Sequence, residues 1–355
     1  MGKKVINLVY TIAIIFLILS FACGIIAFGE LGYSLFWAFV FGCAFVYLSI
    51  KLTLILHELG HAICGYLTGY RLVSLGIGRF LLVKKSGKFY FSRTAVFKNV
   101  SAQYIGIKED ESDQRIILML SGGLLVHLCL MLLAILFGFL TQTWYFAAIW
   151  IILNLSLFLT NVLPIGITDG AKIWELWQSP ENVNYAYMSL RHSAQTILAP
   201  EECDLKDFVM PVSENAQGFF AENMLVQQGQ VFLLEGKLKE AKQQFQSILE
   251  QTDNSLIQAI AQMSLLHIAL LEDKVETAEE YVSILKLKPF LSLKMTHIQT
   301  MQAWYQYKVK KDLAKTHKAI QIAKEKMNAS YLLRDEKRYY ENWLVKLEEE
   351  LSEGI

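Results

Sequence analysis

Two histidines and a glutamate stand close together in an otherwise apolar stretch, ILHELGHAICGYL (55–67). His57, Glu58 and His61 have the spacing His-Glu-x-x-His. On an α-helix, four residues advance about 6 Å and turn about 400°, so both imidazoles would point the same way. Two such imidazoles can hold a zinc ion, with Glu58 left to act on a zinc-bound water. The alternative is a buried polar cluster at a helix contact, and the rest of the chain has to decide between the two.

The charge distribution divides the 355 residues into two unlike halves. Hydrophobic residues make up 54% of the chain, above the ~45–50% of a typical soluble protein. Residues 1–180 carry 13 Lys/Arg and 8 Asp/Glu, whereas residues 181–355 carry 20 and 25. We therefore expect a membrane domain followed by a soluble one. Basic clusters with interleaved aromatic residues are not evident, so nucleic acid is not an expected partner.

Four apolar stretches are long enough to cross a lipid bilayer, which takes about 20 residues each. They run roughly over 5–28, 33–67, 115–139 and 144–163. The second contains the His-Glu-x-x-His motif and is expected to form one long helix. These stretches predict a multi-pass protein of the cell membrane.

The distribution of Lys and Arg predicts the orientation of these helices, because cytosolic loops carry the excess of positive charge. Residues 71–114 contain eight Lys/Arg, and the short connections 29–32 and 140–143 contain none. The N-terminus, the 71–114 loop and the C-terminal half are therefore expected in the cytosol. His57 and His61 would then lie toward the cytosolic end of the second helix.

A candidate third zinc ligand follows the fourth apolar stretch. A catalytic zinc needs three protein ligands and one open position. Pro164 is expected to end the fourth helix, and Thr168-Asp169-Gly170 predicts a turn at the level of His61. Asp169 could complete the ligand set, or it could belong to an ordinary turn.

Two asparagines on the fourth helix are candidate substrate-binding residues. Asn154 and Asn161 are seven residues apart and therefore share one helix face. They could hydrogen-bond Asp169 or a substrate backbone, or they could simply join neighbouring helices.

The combination of these motifs resembles the site-2 protease family of intramembrane zinc metalloproteases. His-Glu-Leu-Gly-His at a membrane helix end is followed about a hundred residues later by Asn161-Val-Leu-Pro164 and Asp169-Gly170. The intervening residues 69–106 also resemble the β-hairpin region of that family. The likeness covers about residues 33–175. It implies His57, His61 and Asp169 as zinc ligands and Glu58 as the catalytic base.

One run departs from the family pattern. Members usually carry Gly-Pro-x-x-Asn at the start of the third core helix, whereas this chain has Gly122-Gly123-Leu124-Leu125-Val126. His127 follows directly and could supply polarity there, or it could be a histidine at a helix contact.

The soluble half shows an internal repeat. Residues 235–250 align with 272–287, and a weaker copy covers 310–323, so that Leu238, Val275 and Leu313 recur. The period resembles that of tetratricopeptide-type helical hairpins. Such repeats usually bind a protein partner on a concave face; the alternative is a lid or a dimer contact.

The sequence therefore predicts a mainly α fold in three parts. A polytopic α-helical membrane metalloprotease core with a small β-hairpin region covers 1–177, a linker covers 178–215, and a soluble α-helical repeat domain covers 216–355. The expected function is a zinc-dependent intramembrane endopeptidase that cleaves membrane-anchored proteins or peptides. The alternative is a catalytically inactive membrane scaffold of the same fold, acting through its helical repeats.

Overall fold

The protein is mainly α-helical, as the sequence predicts. A computed structural model describes residues 3–77, 80–85, 88–93, 100–106, 115–164, 166, 168–213, 216–284, 291–327 and 332–353. Its strands are β1 (Tyr70–Ile77), β2 (Phe80–Lys85), β3 (Lys88–Arg93) and β4 (Val100–Gly106). Its α-helices are α1 (Lys3–Glu30), α2 (Leu35–Thr68), α3 (Arg115–Thr141), α4 (Trp144–Val162), α5 (Asp169–Gln178), α6 (Asn182–Leu198), α7 (Phe219–Leu234), α8 (Leu238–Gln251), α9 (Ser255–Leu271), α10 (Val275–Ile284), α11 (Thr296–Tyr305), α12 (Leu313–Met327) and α13 (Arg334–Glu353).

The chain divides into two compact units. The first contains Met1–Lys84 and Asn99–Val183, and the second contains Lys85–Lys98 and Asn184–Ile355. The predicted linker 178–215 contains helix α6 and two short 3-10 helices, Pro200–Glu202 and Leu205–Phe208. It is therefore largely helical, and the predicted domain limits stay a proposal.

Helices α1 to α4 belong to the first unit, and each is long and apolar enough to cross a membrane. Each packs mainly against two of the others, in the order α1, α2, α3, α4 and back to α1. Large apolar side chains such as Leu132, Phe139 and Leu140 are exposed on the outside of these helices. Hydrocarbon tolerates such exposure and also requires every backbone polar group to be bonded internally, which continuous helices achieve.

A small antiparallel sheet follows α2. Gly69 ends α2 at a φ of 91°, and the chain turns there directly into β1. Strand β1 pairs with β2 on one side and with β4 on the other. The hairpin region expected from the family resemblance includes β3, whose Phe89 and Phe91 are exposed. Residues 86 and 87, between β2 and β3, lie outside the described part of the chain.

Helix α4 ends at Val162, and the chain forms a new helix where the sequence predicts a turn. Thr168 is the N-cap of α5: its hydroxyl accepts from the Ala171 N–H at 3.2 Å and donates to the Leu163 carbonyl at 2.7 Å. Asp169 is thus the first residue of a helix rather than part of an isolated turn. A capping threonine followed by an aspartate favours a helix start, and this outweighs the turn preference of Asp-Gly.

The second unit contains three pairs of consecutive helices with the same kind of turn. The turns join α7 to α8, α9 to α10, and α11 with its π-helical extension (Gln306–Lys310) to α12. Gly236, Asp273 and Lys311 occupy the same place in the three turns, and each has a positive φ, between 53° and 74°. The packing after these turns also repeats. The fourth residue of the helix that follows each turn is fully buried, and these residues are Ala241, Ala278 and Thr316. These features support the repeat, while its tetratricopeptide-like character stays a prediction.

Gly236→Ala is expected to lower the free energy of unfolding by about 1 kcal/mol, because an L-residue is strained in the left-handed region. The φ of Gly236 is 74°. The measurement is the urea midpoint of the full chain in detergent. Unfolding is monitored by protease cleavage within the α7–α8 pair. Lys237→Ala is a control in the same turn, since Lys237 is exposed and has a negative φ. Equal midpoints for Gly236→Ala and wild type would contradict the left-handed turn.

Candidate metal centre

His57 and His61 lie one helical turn apart on α2 and face inward. Both are buried, and their Nε2 atoms are 3.2 Å apart. This face of α2 lies against α3, where Gly60 and Gly122 allow the two helices to approach closely. The helix period thus brings together the two imidazoles that the sequence motif contains.

Asp169 joins the histidines from the start of α5. Its Oδ2 atom lies 3.1 Å from His57 Nε2 and 3.3 Å from His61 Nε2. The residue before it caps the helix, and Gly170 after it packs on the end of α4, where an added Cβ would lie 2.0 Å from the Val162 carbonyl oxygen. The position of Asp169 is therefore fixed from both sides.

The three candidate ligand atoms have nearly the separation that a tetrahedral zinc site requires. Nitrogen and oxygen ligands bind zinc at about 2.0–2.2 Å, and tetrahedral angles then place two ligands about 3.3–3.5 Å apart. The observed separations are 3.1, 3.2 and 3.3 Å. Although Asp169 Oδ2 is buried and near both rings, none of the described residues offers it a partner with hydrogen-bond geometry. The donor set, two imidazoles and a carboxylate, is one that zinc uses in catalytic sites. The three residues could therefore hold a metal ion.

The charge at Asp169 favours a cation between the three side chains. Burial raises the pKa of the Asp169 carboxyl, but its contacts with His57 and His61 outweigh burial and bring it well below its ordinary value. Lys172, one turn further along α5, also favours the ionised form. Asp169 is accordingly a carboxylate at neutral pH.

Glu58 stands next to the three candidate ligands without being one of them. It precedes His61 by three residues on α2 and is half-buried. Its carboxylate interacts electrostatically with His61, His57 and Asp169. This position, beside the ligands and partly accessible, suits a group that exchanges protons with a substrate or water.

The outer nitrogens of both histidines also have partners. His61 Nδ1 lies 2.9 Å from the Met119 carbonyl oxygen on α3. That oxygen can only accept, so Nδ1 carries the proton and Nε2 is left with a lone pair toward the centre. The N–H of Gly123, at a longer 3.4 Å from the same Nδ1, is the weaker contact. His57 Nδ1 lies 3.1 Å from His127 Nε2.

The comparison with protein families covers this part of the chain. Residues 45–143 match the family model described as peptidase family M50, which is the site-2 protease family. This region is therefore similar to peptidase family M50. The match includes His57, Glu58 and His61 but ends before Asn154 and Asp169. No curated protein and no solved structure gives a significant match.

The match to family M50 supports a membrane metalloprotease in general terms. The four apolar helices and the family together support a location in the membrane. The helical repeats lie outside the matched residues, so the family carries no information about them.

The glycine pair of α3 has a direct structural role within the M50 region. A Cβ on Gly122 would lie 2.3 Å from the Gly60 carbonyl oxygen, and a Cβ on Gly123 would lie 2.3 Å from Cε1 of His57. The family usually has proline at the position of Gly123. Here the absence of a side chain leaves the space in which the His57 ring stands.

The two candidate asparagines, Asn154 and Asn161, differ in burial and in hydrogen-bond partners. Asn154 is fully buried (0% exposed), and its Oδ1 lies 2.9 Å from His127 Nδ1. This burial speaks against the predicted substrate contact of Asn154, which no observation tests directly; the contact that the structure shows is with His127. Asn161 is half-buried, and its Nδ2 donates to the Leu157 carbonyl at 2.9 Å. Its contact with a substrate stays a prediction.

The sequence signals the place of His127 only weakly. Its neighbours on α3, Val126 and Leu128, are apolar, so they give no hint of a polar contact. The sequence offers one indication, which is that the polar His127 directly follows the run that corresponds to the family's Gly-Pro-x-x-Asn. The contact of His127 with both His57 and Asn154 depends on how α3 and α4 are rotated about their axes, which the sequence does not give.

Proposed function

We propose that the protein is a zinc-dependent intramembrane endopeptidase. The observation that carries the proposal is the convergence of His57, His61 and Asp169, with atoms 3.1–3.3 Å apart, next to Glu58. His57, Glu58 and His61 belong to α2, a helix long and apolar enough to cross a membrane, and Asp169 joins them from the start of α5. A binding protein would have no use for the glutamate beside the ligands.

His57, His61 and Asp169 would hold the zinc ion and leave one position open. When bound, zinc supplies Lewis-acid polarisation of the scissile carbonyl and makes a water molecule more acidic. The buried positions of the three side chains exclude other water and hold the ligand geometry. Lys172 balances part of the negative charge of Asp169 and Glu58.

Glu58 is the proposed general base and acid. Its carboxylate accepts a proton from the attacking water while the water oxygen bonds to the peptide carbon. The carboxylic acid then donates that proton to the amide nitrogen as the carbon–nitrogen bond breaks. Such proton transfer contributes about 10²–10⁴-fold to a rate.

The substrate must expose an extended backbone at this site, because the peptide bonds of a transmembrane helix are hidden in their own hydrogen bonds. Asn161 is the proposed contact for that backbone. The strands that follow α2 offer backbone groups at their edges to which an extended segment could add. The alternative for this sheet is an amphipathic cap at the membrane surface.

The proposed substrates are membrane-anchored proteins or peptides in the cell membrane. By the distribution of Lys and Arg, the N-terminus and the C-terminal domain are proposed to be cytosolic. The repeated helix pairs of the second unit are proposed to bind a protein partner or the substrate. The recurring left-handed turns at Gly236, Asp273 and Lys311 support this, because they indicate one repeated helical hairpin, and stacked repeats form extended binding surfaces.

The test compares N-terminal peptides of membranes from cells that carry the wild-type protein or Glu58→Gln at equal expression. We expect specific cleaved N-termini to disappear in Glu58→Gln and their longer precursors to accumulate, while bound zinc is unchanged. Ser121→Ala is a control on α3, because the Ser121 hydroxyl donates to the Ile117 carbonyl within its own helix.

The scaffold alternative predicts a different outcome. If wild type and Glu58→Gln give the same peptides under conditions where cells need the protein, the protein does not act through catalysis. A phenotype that follows deletion of the helical repeats instead would then favour the scaffold.

A further inference from the structure

His127 is buried on α3 between a candidate zinc ligand and a buried asparagine. Its Nε2 lies 3.1 Å from His57 Nδ1, and its Nδ1 lies 2.9 Å from Asn154 Oδ1. Asn154 in turn donates from Nδ2 to the Trp150 carbonyl at 2.8 Å, within α4. His127 and Asn154 are both fully buried. A continuous chain of hydrogen-bonding atoms thus runs from His57 across α3 to the backbone of α4.

Only one arrangement of protons satisfies this chain when His57 Nε2 binds a metal. The Asn154 amide donates to the Trp150 carbonyl, so its Oδ1 must face His127 as an acceptor. His127 Nδ1 then carries a proton and donates to Oδ1, which leaves Nε2 as an acceptor in the neutral ring. His57 Nδ1 must therefore be the donor to His127.

That proton arrangement leaves the lone pair of His57 Nε2 pointing at His61 and Asp169. A metal-binding histidine usually donates its second N–H to a carboxylate, a carbonyl or water, which fixes the tautomer and the ring orientation. Here a second histidine takes that place and is itself fixed by an amide. His61 needs no such device, since its Nδ1 faces the Met119 carbonyl directly.

We propose that His127 and Asn154 are positioning residues that hold His57 in the metal-binding tautomer and orientation. The proposal rests on the proposed metalloprotease function. It deepens that function by assigning a role to two residues that the family pattern does not provide at these places. It also accounts for Gly123, because the His57 ring reaches His127 across the space that a Cβ on Gly123 would fill.

If His127 served only to pack α3 against α4, its side chain would need an apolar shape and no hydrogen-bonding groups. An apolar contact between α3 and α4 would be served as well by leucine, and burying a polar group without partners costs free energy. Both ring nitrogens of His127 have partners, so the histidine is used for its hydrogen bonds. Substitutions that keep the shape or keep the acceptor therefore separate the two roles.

The experiment measures binding of Co²⁺ and Zn²⁺ to the full chain in detergent, by the visible spectrum of bound Co²⁺ and by chelator competition. His127→Leu is expected to weaken binding by about 10–100-fold. His127→Gln is expected to stay near wild type, because its amide oxygen can reach the place of Nε2 and accept from His57. A packing role predicts the reverse order, with leucine tolerated and glutamine harmful.

A double-substitution cycle tests whether Asn154 acts through His127. Asn154→Leu alone is expected to weaken binding, whereas His127→Leu with Asn154→Leu should be no weaker than His127→Leu alone. Independent structural damage would instead multiply the two losses. Thr160→Val on α4 is the control, since the Thr160 hydroxyl donates to carbonyls of its own helix.

The outcomes distinguish this inference from the proposed function. Wild-type affinity in both His127 variants, together with loss of metal in His61→Ala, would overturn the positioning role and leave the metal site intact. A wild-type protein that binds neither Co²⁺ nor Zn²⁺ would overturn the metal site itself. Weak binding in His127→Leu with rescue in His127→Gln supports the inference.

Discussion

Replacing Asp169 by asparagine is expected to lower zinc affinity by about 10²–10³-fold. Structural zinc sites with four ligands bind with an apparent ~10–16 kcal/mol, so one ligand accounts for about 2.5–4 kcal/mol. Asparagine keeps the size and one oxygen of the side chain but loses the negative charge. Because Oδ2 of Asp169 is the atom that faces both imidazoles, the charge is lost at the centre itself.

This substitution has particular weight because Asp169 lies beyond the residues 45–143 that match the family. The measurement is zinc retained by the purified protein and its affinity by chelator competition, together with the cleaved N-termini that depend on Glu58. Glu175→Gln is the matched control: it removes a carboxylate from the same helix, where Glu175 accepts from Asn182 at 3.0 Å. Wild-type zinc affinity in Asp169→Asn would show that the third ligand is another residue.

The membrane-spanning helices could be predicted closely from the sequence. The predicted stretches 5–28, 33–67, 115–139 and 144–163 differ from the observed helices by no more than two residues at either end. The reason is physical: hydrocarbon requires long apolar segments with all backbone groups bonded internally, so composition and length determine the element. Lys51 does not break the second helix, since α2 is continuous from Leu35 to Thr68.

The candidate metal centre could be predicted only in part. The helix period places His57 and His61 together, and this needs no tertiary information. Asp169 comes from a distant part of the chain, and its choice as a ligand depends on the family resemblance and on Pro164 as a helix end. Thr168 is a good N-cap and predicts the start of α5. The Asp-Gly pair that follows favours a turn instead. Local preferences conflict at this point, and the Thr168 cap together with the packing of Gly170 on the end of α4 favours the helix.

The contact between His127 and Asn154 could not be predicted. The two residues are on different helices, and small rotations of α3 or α4 would move either side chain away from the other. Those rotations are set by how closely the helices approach, which depends on small residues at the crossings. The site geometry is therefore decided partly by residues that carry no chemistry.

Gly122→Ala is expected to disrupt the site although residue 122 bears no functional group. The added Cβ would lie 2.3 Å from the Gly60 carbonyl oxygen and 2.8 Å from the His61 backbone nitrogen. These are backbone atoms that no side-chain rotation can move, so α3 must shift away from α2. A misplacement of about 1 Å can cost a catalytic site about 10²-fold in rate. We expect losses of that order in the cleaved N-termini that depend on Glu58.

The shift should reach the metal ligands by a defined route. The contact of 2.9 Å between His61 Nδ1 and the Met119 carbonyl spans α2 and α3, so it lengthens when the helices separate. Zinc affinity should therefore fall together with proteolysis, while the helix content by circular dichroism stays at the wild-type level. Gly29→Ala in α1 is the control, because an added Cβ there would have no atom of the described part of the chain within 4 Å. Normal zinc affinity in Gly122→Ala would mean that the ligand geometry does not depend on the close crossing of α2 and α3.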